Sequence, residues 1–399
     1  MHLVYLALTF LAMVVLLAFK RPLYQAILGG LLVAAALFRI SPMVILERVG
    51  GVLTSWESMS VLVSMYLISY LQRMLDARNQ MKMAQADLNG IFHNRRINAT
   101  ATPMFIGMLP SAAAMLLCGD IVKDSTDGYL DRKEQAVVTS WFRHIPESVL
   151  PTYPGVLLMA SLSGIELSRF IPAMIVPVAV LALLGYAPFL RKIPKEPETP
   201  VSSDKKRDAL NLLKHVWTLV AILILILAAG LSVVPALLIV IVAAAIVYRF
   251  MPGDMGRMVI SAFEPRLIVN TFLVLVLREL ISYTGVLQLL PEALSTLPIP
   301  TYLIFAILFF LGGIVSGNTG IIALGTPLAF AAMDAGVELM VLLMCMCHAA
   351  SQISPVHVCL VVASEYYNIS LGELVRKTLP LALAFCILMI GYYNLLLLF

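Results

Sequence analysis

The amino-acid sequence predicts an all-α polytopic membrane protein built from two inverted repeats, each with about five transmembrane helices and one re-entrant hairpin. Three observations carry that prediction: the composition, the placement of the basic residues, and a match of the chain with itself. Of 399 residues, 61% are hydrophobic and 13% are charged, whereas soluble domains average about 45–50% and about 25%. This excludes a cytosolic enzyme, a secreted disulfide scaffold and a disordered protein. A net charge of +4 is too small to predict a nucleic-acid partner, so the lipid bilayer is the expected surroundings. All five cysteines lie in apolar stretches, an odd number with no disulfide pattern.

Spanning segments are expected near 1–19, 22–38, 58–75, 133–163, 166–190, 211–229, 232–250, 267–284, 338–363 and 378–398. No basic residue precedes the first of them, and Lys20-Arg21 read as the end of a spanning helix rather than part of a cleaved signal peptide. Two more apolar stretches, about 100–122 and 301–331, are interrupted by Gly, Pro, Ser and Asn. Arg73, Arg78, Lys82, Arg95 and Arg96 place residues 73–96 in the cytoplasm. From that anchor both termini fall outside. If the two interrupted stretches enter and leave by one face, all but four of the 27 Lys and Arg (Arg39, Arg48, Arg169 and Arg278) are cytoplasmic. Full crossings would destroy that bias, so re-entrant hairpins are predicted, with kinked ordinary helices as the alternative. A backbone turning back at membrane depth needs protein or a water-filled cavity around it.

The chain matches itself at offsets of 204–210. Phe38-Arg39 followed by Pro42 pairs with Tyr248-Arg249 followed by Pro252, and Trp56-Glu57 with Phe263-Glu264. HIPESVLP, from His144, pairs with HAASQISP, from His348, and Gly164-Ile165 pairs with Asn368-Ile369. Residues 1–190 therefore form a first repeat, 191–210 a polar, Pro- and charge-rich cytoplasmic linker, and 211–399 a second repeat. An odd number of crossings inverts the second relative to the first. Inverted repeats with broken helices are the architecture of secondary transporters, whose site lies at the repeat interface.

The second hairpin's tip, Ser316-Gly317-Asn318-Thr319-Gly320, sets hydroxyls, an amide and exposed backbone in an apolar run. A half-helix starting there points free N–H groups inward and favours an anion. The first hairpin has Pro110-Ser111 at its tip and Asp120 at its exit. A glycine-rich packing face is the alternative for both tips. Prolines 151, 154 and 355 break the paired helices and free carbonyls near Ser148 and Ser351. Glu147 is a carboxylate at membrane depth, able to bind Na⁺ or carry a proton unless Arg143 neutralises it near the interface. His144 and His348 read as hydrogen-bonded structural residues. Residues 76–88 read as an amphipathic helix on the cytoplasmic surface.

Cys345-Met346-Cys347-His348, with His357 and Cys359 beyond, suggests a metal. On a helix only Cys345 and His348 share a face, so no metal ligands are assigned and core thiols are expected. There is no HExxH, GxSxG or phosphate-binding loop, so no enzymatic activity and no cofactor are expected. Cys118-Gly119-Asp120 is similar to the aspartate motif of intramembrane aspartyl proteases but lacks its leading glycine and a partner aspartate.

The two-half plan, the SGNTG tip and the ending SPVHVCLVVASEYYNISLGELVRKTLP resemble the ion transporter superfamily. That group includes gluconate and citrate permeases, divalent-anion/sodium symporters and the large subunit of tripartite carboxylate transporters. The chain is also similar to a prokaryotic integral membrane family known only as of unknown function. The resemblance implies an elevator mechanism, with a scaffold from the early helices of each half and a transport domain holding both hairpins and both broken helices. It implies substrate contacts at Pro110, Ser111, Ser316, Gly317, Asn318, Thr319 and Thr326. Coupling-ion contacts fall to Glu147, Ser148, Ser351, Gln352, Ser354 and again Asn318. Gly317 is inserted relative to the Ser-Asn-Thr tip of the symporters, and the first tip lacks Asn-Thr. The expected function is movement of a small organic anion across the prokaryotic cytoplasmic membrane with Na⁺ or H⁺. A cation/proton antiporter and a membrane subunit served by a binding protein are the alternatives. Elevator scaffolds commonly dimerise, so a second copy is an expected partner.

Overall fold

A computed structural model describes the chain except Lys20, residues 81–82, 85–86, 88–90, 92–93, 109–113 and 196–203, and Phe399. The described residues are helical and contain no strand. The first group of helices is α1 (His2–Ala18), α2 (Leu23–Leu37), α3 (Pro42–Thr54) and α4 (Trp56–Ala77). After it come α5 (Arg95–Asn98), α6 (Ala101–Ile106), α7 (Ala114–Thr126) and α8 (Arg132–His144), then α9 (Pro154–Ser163), α10 (Leu167–Ala173) and α11 (Ile175–Phe189). The later part of the chain holds α12 (Lys205–Leu227), α13 (Val233–Val247), α14 (Pro252–Ser261), α15 (Pro265–Tyr283) and α16 (Leu290–Ser295). It closes with α17 (Thr301–Ala332), α18 (Val337–Ser351), α19 (Val358–Tyr366) and α20 (Leu371–Leu396).

Local chemistry sets the helix ends. Ser55 ends α3, caps α4 by accepting from the Ser58 N–H, and marks a 61° bend between them. A 56° bend separates α14 from α15, where Pro265 opens the second helix. Asp131 with Glu134 and Ser370 with Glu373 form reciprocal capping boxes at the starts of α8 and α20. Partial burial pulls the Asp131 carboxyl up, but the Glu134 backbone N–H and the Lys377 ammonium outweigh it and hold its pKa below the ordinary value. Arg39 and Arg249 both take left-handed backbone at helix ends, with φ of 54° and 52°. The following N–H groups close the same bond, Ile40 to Ala35 O at 2.9 Å and Phe250 to Ala245 O at 3.0 Å. Gly164 and Asn368 form a second such pair, with φ of 73° and 53°.

The run at 133–163 does not form one helix. After α8 the chain makes a 3₁₀ turn over Ile145–Ser148 and stays irregular until Pro154 opens α9. Pro146, Pro151 and Pro154 each remove a donor, which is why the helix cannot continue. Likewise α18 stops at Ser351 and α19 starts only at Val358, beyond Pro355. Helices α3, α14 and α16 are not among the elements expected from hydropathy. They are short, and α14 buries none of its residues within the chain.

Gly317 folds α17 into a hairpin. Its φ of 73° and ψ of 168° are non-helical, and residues on either side of it touch: a Cβ on Gly325 would meet the Phe309 ring at 2.5 Å, and one on Gly312 would meet Ile321 at 2.5 Å. Each arm is about 15 residues, roughly 23 Å, shorter than a ~30 Å hydrocarbon core. By length and apolarity alone, four helices among the described residues are able to cross a membrane, or six if each bent pair is one span. This fold-back removes Thr301–Ala332 from a simple count of crossings.

The helices pack in two groups. Helices α1 to α4 interlock with α12 to α15, α6 to α11 pack with α17 to α20, and α16 packs on α17. Within the first group, α4 reaches α14 through the Tyr66 hydroxyl donating to Val259 O at 3.0 Å and Arg73 Nε to Ser261 O at 3.3 Å. In the second, Lys133–Glu373, Lys192–Glu134 and Lys377–Asp131 gather at one end. Residues 81–82, 85–86 and 88 of the 76–88 stretch lie outside the described residues; Asp87 meets His215 Nδ1 at 2.5 Å.

Candidate functional site

The two broken segments are tied by hydroxyl-to-carbonyl bonds to residues just after α6 and to the first arm of α17. Thr152 donates to Met108 O at 3.0 Å, and the Tyr153 hydroxyl donates to Gly107 O. In the other half of the chain, Ser354 donates to Ile314 O at 2.7 Å. A carbonyl freed near a helix break must find a donor when buried, and these side chains supply it. Gly107 has no room for a side chain, because a Cβ there would run into the Arg143 carbonyl.

Beside these contacts, and sharing Tyr153 with them, lies a cavity of about 120 Å³. Glu147, Ser148, Tyr153, Pro154 and Gly155 line it from the first half of the chain, and Asn318, Thr319, Ile322, Met344 and His348 from the second. Leu267 of α15 closes it, so the cavity lies where the two helix groups meet. Asn318 and Thr319 open the second arm of α17, where unpaired backbone N–H groups carry the positive end of the helix dipole. Opposite in charge is Glu147, whose Oε2 lies 3.7 Å from Arg143 and 3.9 Å from His144 Nε2. Its side chain keeps 20% exposure while those two bases keep 3% and 1%. The carboxylate therefore faces the cavity and Arg143, which does not line it, stands behind.

Two cavity-lining side chains have buried atoms without a hydrogen-bond partner, Asn318 Oδ1 and His348 Nδ1. Orphaned polar atoms at one cavity are what a ligand-binding surface presents. His348 Nε2 is 3.3 Å from the Gln352 amide.

Four of the residues assigned from sequence, Glu147, Ser148, Asn318 and Thr319, meet at this cavity. Ser316, Gly317, Thr326, Ser351, Gln352 and Ser354 are not among its lining residues. Ser316 bonds Gly312 O at 2.8 Å, Ser351 bonds His348 O at 2.7 Å, and Thr326 is fully buried. Pro110 and Ser111 lie outside the described residues. Tyr153, Leu267 and Met344 were not anticipated. Tyr153 had a signal, a hydroxyl between two prolines in a helix break, whereas Leu267 and Met344 are ordinary apolar residues whose role depends on packing. Asp120 accepts from the Tyr366 hydroxyl, and Gly119 O accepts from Tyr367 at 2.9 Å.

A larger cavity of about 400 Å³ lies between α4, α9 and α13, lined by Glu57, Ser64, Ser161 and Glu166 among others. It holds none of the residues assigned from sequence and is apolar over most of its wall.

A family described as "Protein of unknown function (DUF401)" matches residues 3–396. The chain belongs to that family. No curated protein sequence matches it. Among solved structures, the fold is similar to that of the YdaH transporter of Alcanivorax borkumensis, with a TM-score of 0.55 and 16% identity over 88% of this chain and 86% of that one. At this identity the likeness speaks for the fold. With the apolar helices described above, this family member is a multi-pass membrane protein with the fold of a transporter.

Proposed function

We propose that the protein is a secondary active transporter that moves a small, carboxylate-like organic anion across the prokaryotic cytoplasmic membrane, coupled to Na⁺ or H⁺. One observation carries the reading. A single cavity joins the amino end of a half-helix, at Asn318 and Thr319, to the carboxylate of a broken helix, at Glu147. The half-helix suits an anion; the carboxylate suits a cation or proton. Symport follows from their sharing one space.

The same reading takes the chain as two inverted repeats with re-entrant hairpins, as in the ion transporter superfamily. Supporting it are the paired left-handed residues Arg39/Arg249 and Gly164/Asn368, at offsets of 210 and 204, and the paired bends of 61° and 56°. In this scheme α1 to α4 with α12 to α16 are the scaffold, the remaining helices are the moving domain, and both termini are extracytoplasmic. A second reading, a cation/proton antiporter, is favoured by the cavity's size. Its ~120 Å³ is below the ~300–1,000 Å³ of ordinary organic-ligand pockets, so only a compact anion enters in this conformation.

Thermal unfolding of the purified protein with carboxylates, oxyanions and phosphonates, with and without Na⁺ and across pH, tests the proposal. A ligand at a hundred times its Kd stabilises by ~2.7 kcal/mol. The expected result is an anion-dependent shift that requires Na⁺ or low pH and is absent in Asn318→Ala, which also loses uptake while expressing normally. Normal uptake by Asn318→Ala removes the site. A response to Na⁺ and pH with no anion at all transfers the assignment to the antiporter.

A further inference from the structure

Three soft or borderline ligands from opposite halves of the chain converge beside this cavity without lining it. His144 ends α8; His357 and Cys359 flank the start of α19. A nitrogen of each imidazole and the Cys359 thiol sulfur all lie within 4.8 Å of one another. We propose that they form a binding site for a zinc-class d¹⁰ cation.

The tautomer of His144 prepares it as a ligand. Its Nδ1 is 2.6 Å from the Ser140 carbonyl oxygen, which only accepts, so Nδ1 carries the proton and Nε2 presents a lone pair. That arrangement, one ring nitrogen held by a carbonyl and the other free to bind, is the usual outer support of a metal-bound histidine. His357 Nε2 lies 3.0 Å from His144 Nε2, with the ring planes at 88°. Two nitrogens bound to one zinc at about 2.0–2.1 Å stand roughly 3.3 Å apart in a tetrahedral shell. The separation of the two imidazole nitrogens is therefore within a few tenths of an ångström of that required by a shared ion. Cys359 is a free cysteine, and Glu147 Oε2, 3.9 Å from His144 Nε2, supplies a fourth donor after a small rotation.

Two nitrogens and a sulfur select against Na⁺, Mg²⁺ and Ca²⁺, which take oxygen donors. The site is thus chemically distinct from the coupling-ion reading of Glu147. Cys345 and Cys347, adjacent in sequence to His348, are buried inside α18 and are no part of it. An ion here bridges α8 to the start of α19 and sets a positive charge against Glu147. Zinc is accordingly expected to inhibit uptake.

The test uses the full chain, purified and stripped with chelator, titrated with Co²⁺ and then Zn²⁺. Expected are one Co²⁺ per chain with a thiolate-to-cobalt charge-transfer band, and loss of the band on adding Zn²⁺. Cys359→Ser should abolish the band, His357→Gln should weaken Co²⁺ binding at least tenfold, and Cys345→Ser should leave both unchanged. No band in the unmodified protein, or a band that survives in Cys359→Ser, overturns the site. If Cys359→Ser does not fold, undiminished binding by His357→Gln overturns it alone. The inference does not rest on the anion reading: cobalt binding without any anion response would sink only that reading.

Discussion

Glu147 and the amino end at Asn318 make opposite demands on the charge of whatever occupies their cavity, and magnitudes decide between them. An anion about 5 Å from an ionised carboxylate is repelled by roughly 3 kcal/mol at an effective dielectric of about 20. A helix amino end returns about 0.3–1 kcal/mol, up to ~2 when partly buried. Arg143, 3.7 Å from the carboxylate, lessens the repulsion but does not line the cavity. With Arg143 behind the carboxylate the remaining repulsion is about 1–2 kcal/mol, comparable to what the helix end returns, so neutralising Glu147 with a cation or proton tips the balance towards the anion, and that is a physical reason for coupling. Glu147→Gln is therefore expected to keep anion-induced thermal stabilisation while losing its dependence on Na⁺ or low pH. A variant that still needs the cation as the unmodified protein does would exclude Glu147 from coupling. Glu147 and Asn318 were legible in the sequence because a polar residue in an apolar run has few structural excuses. Thr326 looked similar but is packed inside its helix arm, fully buried, and only the fold distinguishes the two cases.

At the scale of the element, the hairpin of α17 hangs on one glycine. Gly317 combines a φ of 73° with a ψ of 168°, a region that only glycine occupies without strain; other residues there cost about 1–3 kcal/mol. It stands between Ser316 and Asn318 at the tip, and the geometry supplies the reason. Glycine makes the chain reverse so that Phe309 meets Gly325. Gly317→Ala should destabilise the protein by about that amount and reduce uptake, as read by thermal unfolding and a flux assay. Gly372→Ala, with open space around it and no left-handed backbone, should change neither. An unchanged melting temperature in Gly317→Ala would mean that the turn does not need the glycine. The paired breaks at 145–153 and 352–357 were readable from their prolines. The bends at Ser55 and before Pro265 were not, because they occur in runs whose hydropathy continues across them.

At the scale of the whole molecule, three cavities lie at the boundary between the groups. Those of about 400, 120 and 140 Å³ lie between α4 or α15 on one side and α8 to α10 or α17 on the other. Protein interiors close-pack, so a boundary with three cavities is where two bodies are expected to slide. The division into two groups matches what the resemblance implied, early helices of each half on one side and the broken helices on the other; charge sidedness and the 204–210 offset do not by themselves specify it. Which helix of one group faces which of the other depends on side-chain packing, and hydropathy carries no record of it.

Sliding is testable at the cavity itself. Leu267 belongs to α15 and Ile322 to α17, and both line the 120 Å³ cavity, so the pair spans the boundary over a short distance. Leu267→Cys with Ile322→Cys, in a background where the five native cysteines are replaced, should be joined by a short bifunctional thiol reagent. If the groups must move past one another, joining them stops uptake completely. Each single-cysteine variant treated with the same reagent serves as the control for occupying the cavity. A cross-linked protein that transports at the rate of its uncross-linked form would mean that the groups stay fixed, and that the substrate passes by local motion of the hairpins alone. Fixed groups would leave the roles of Glu147 and Asn318 intact while removing the elevator from the proposal, so the outcome separates the site from the motion that serves it.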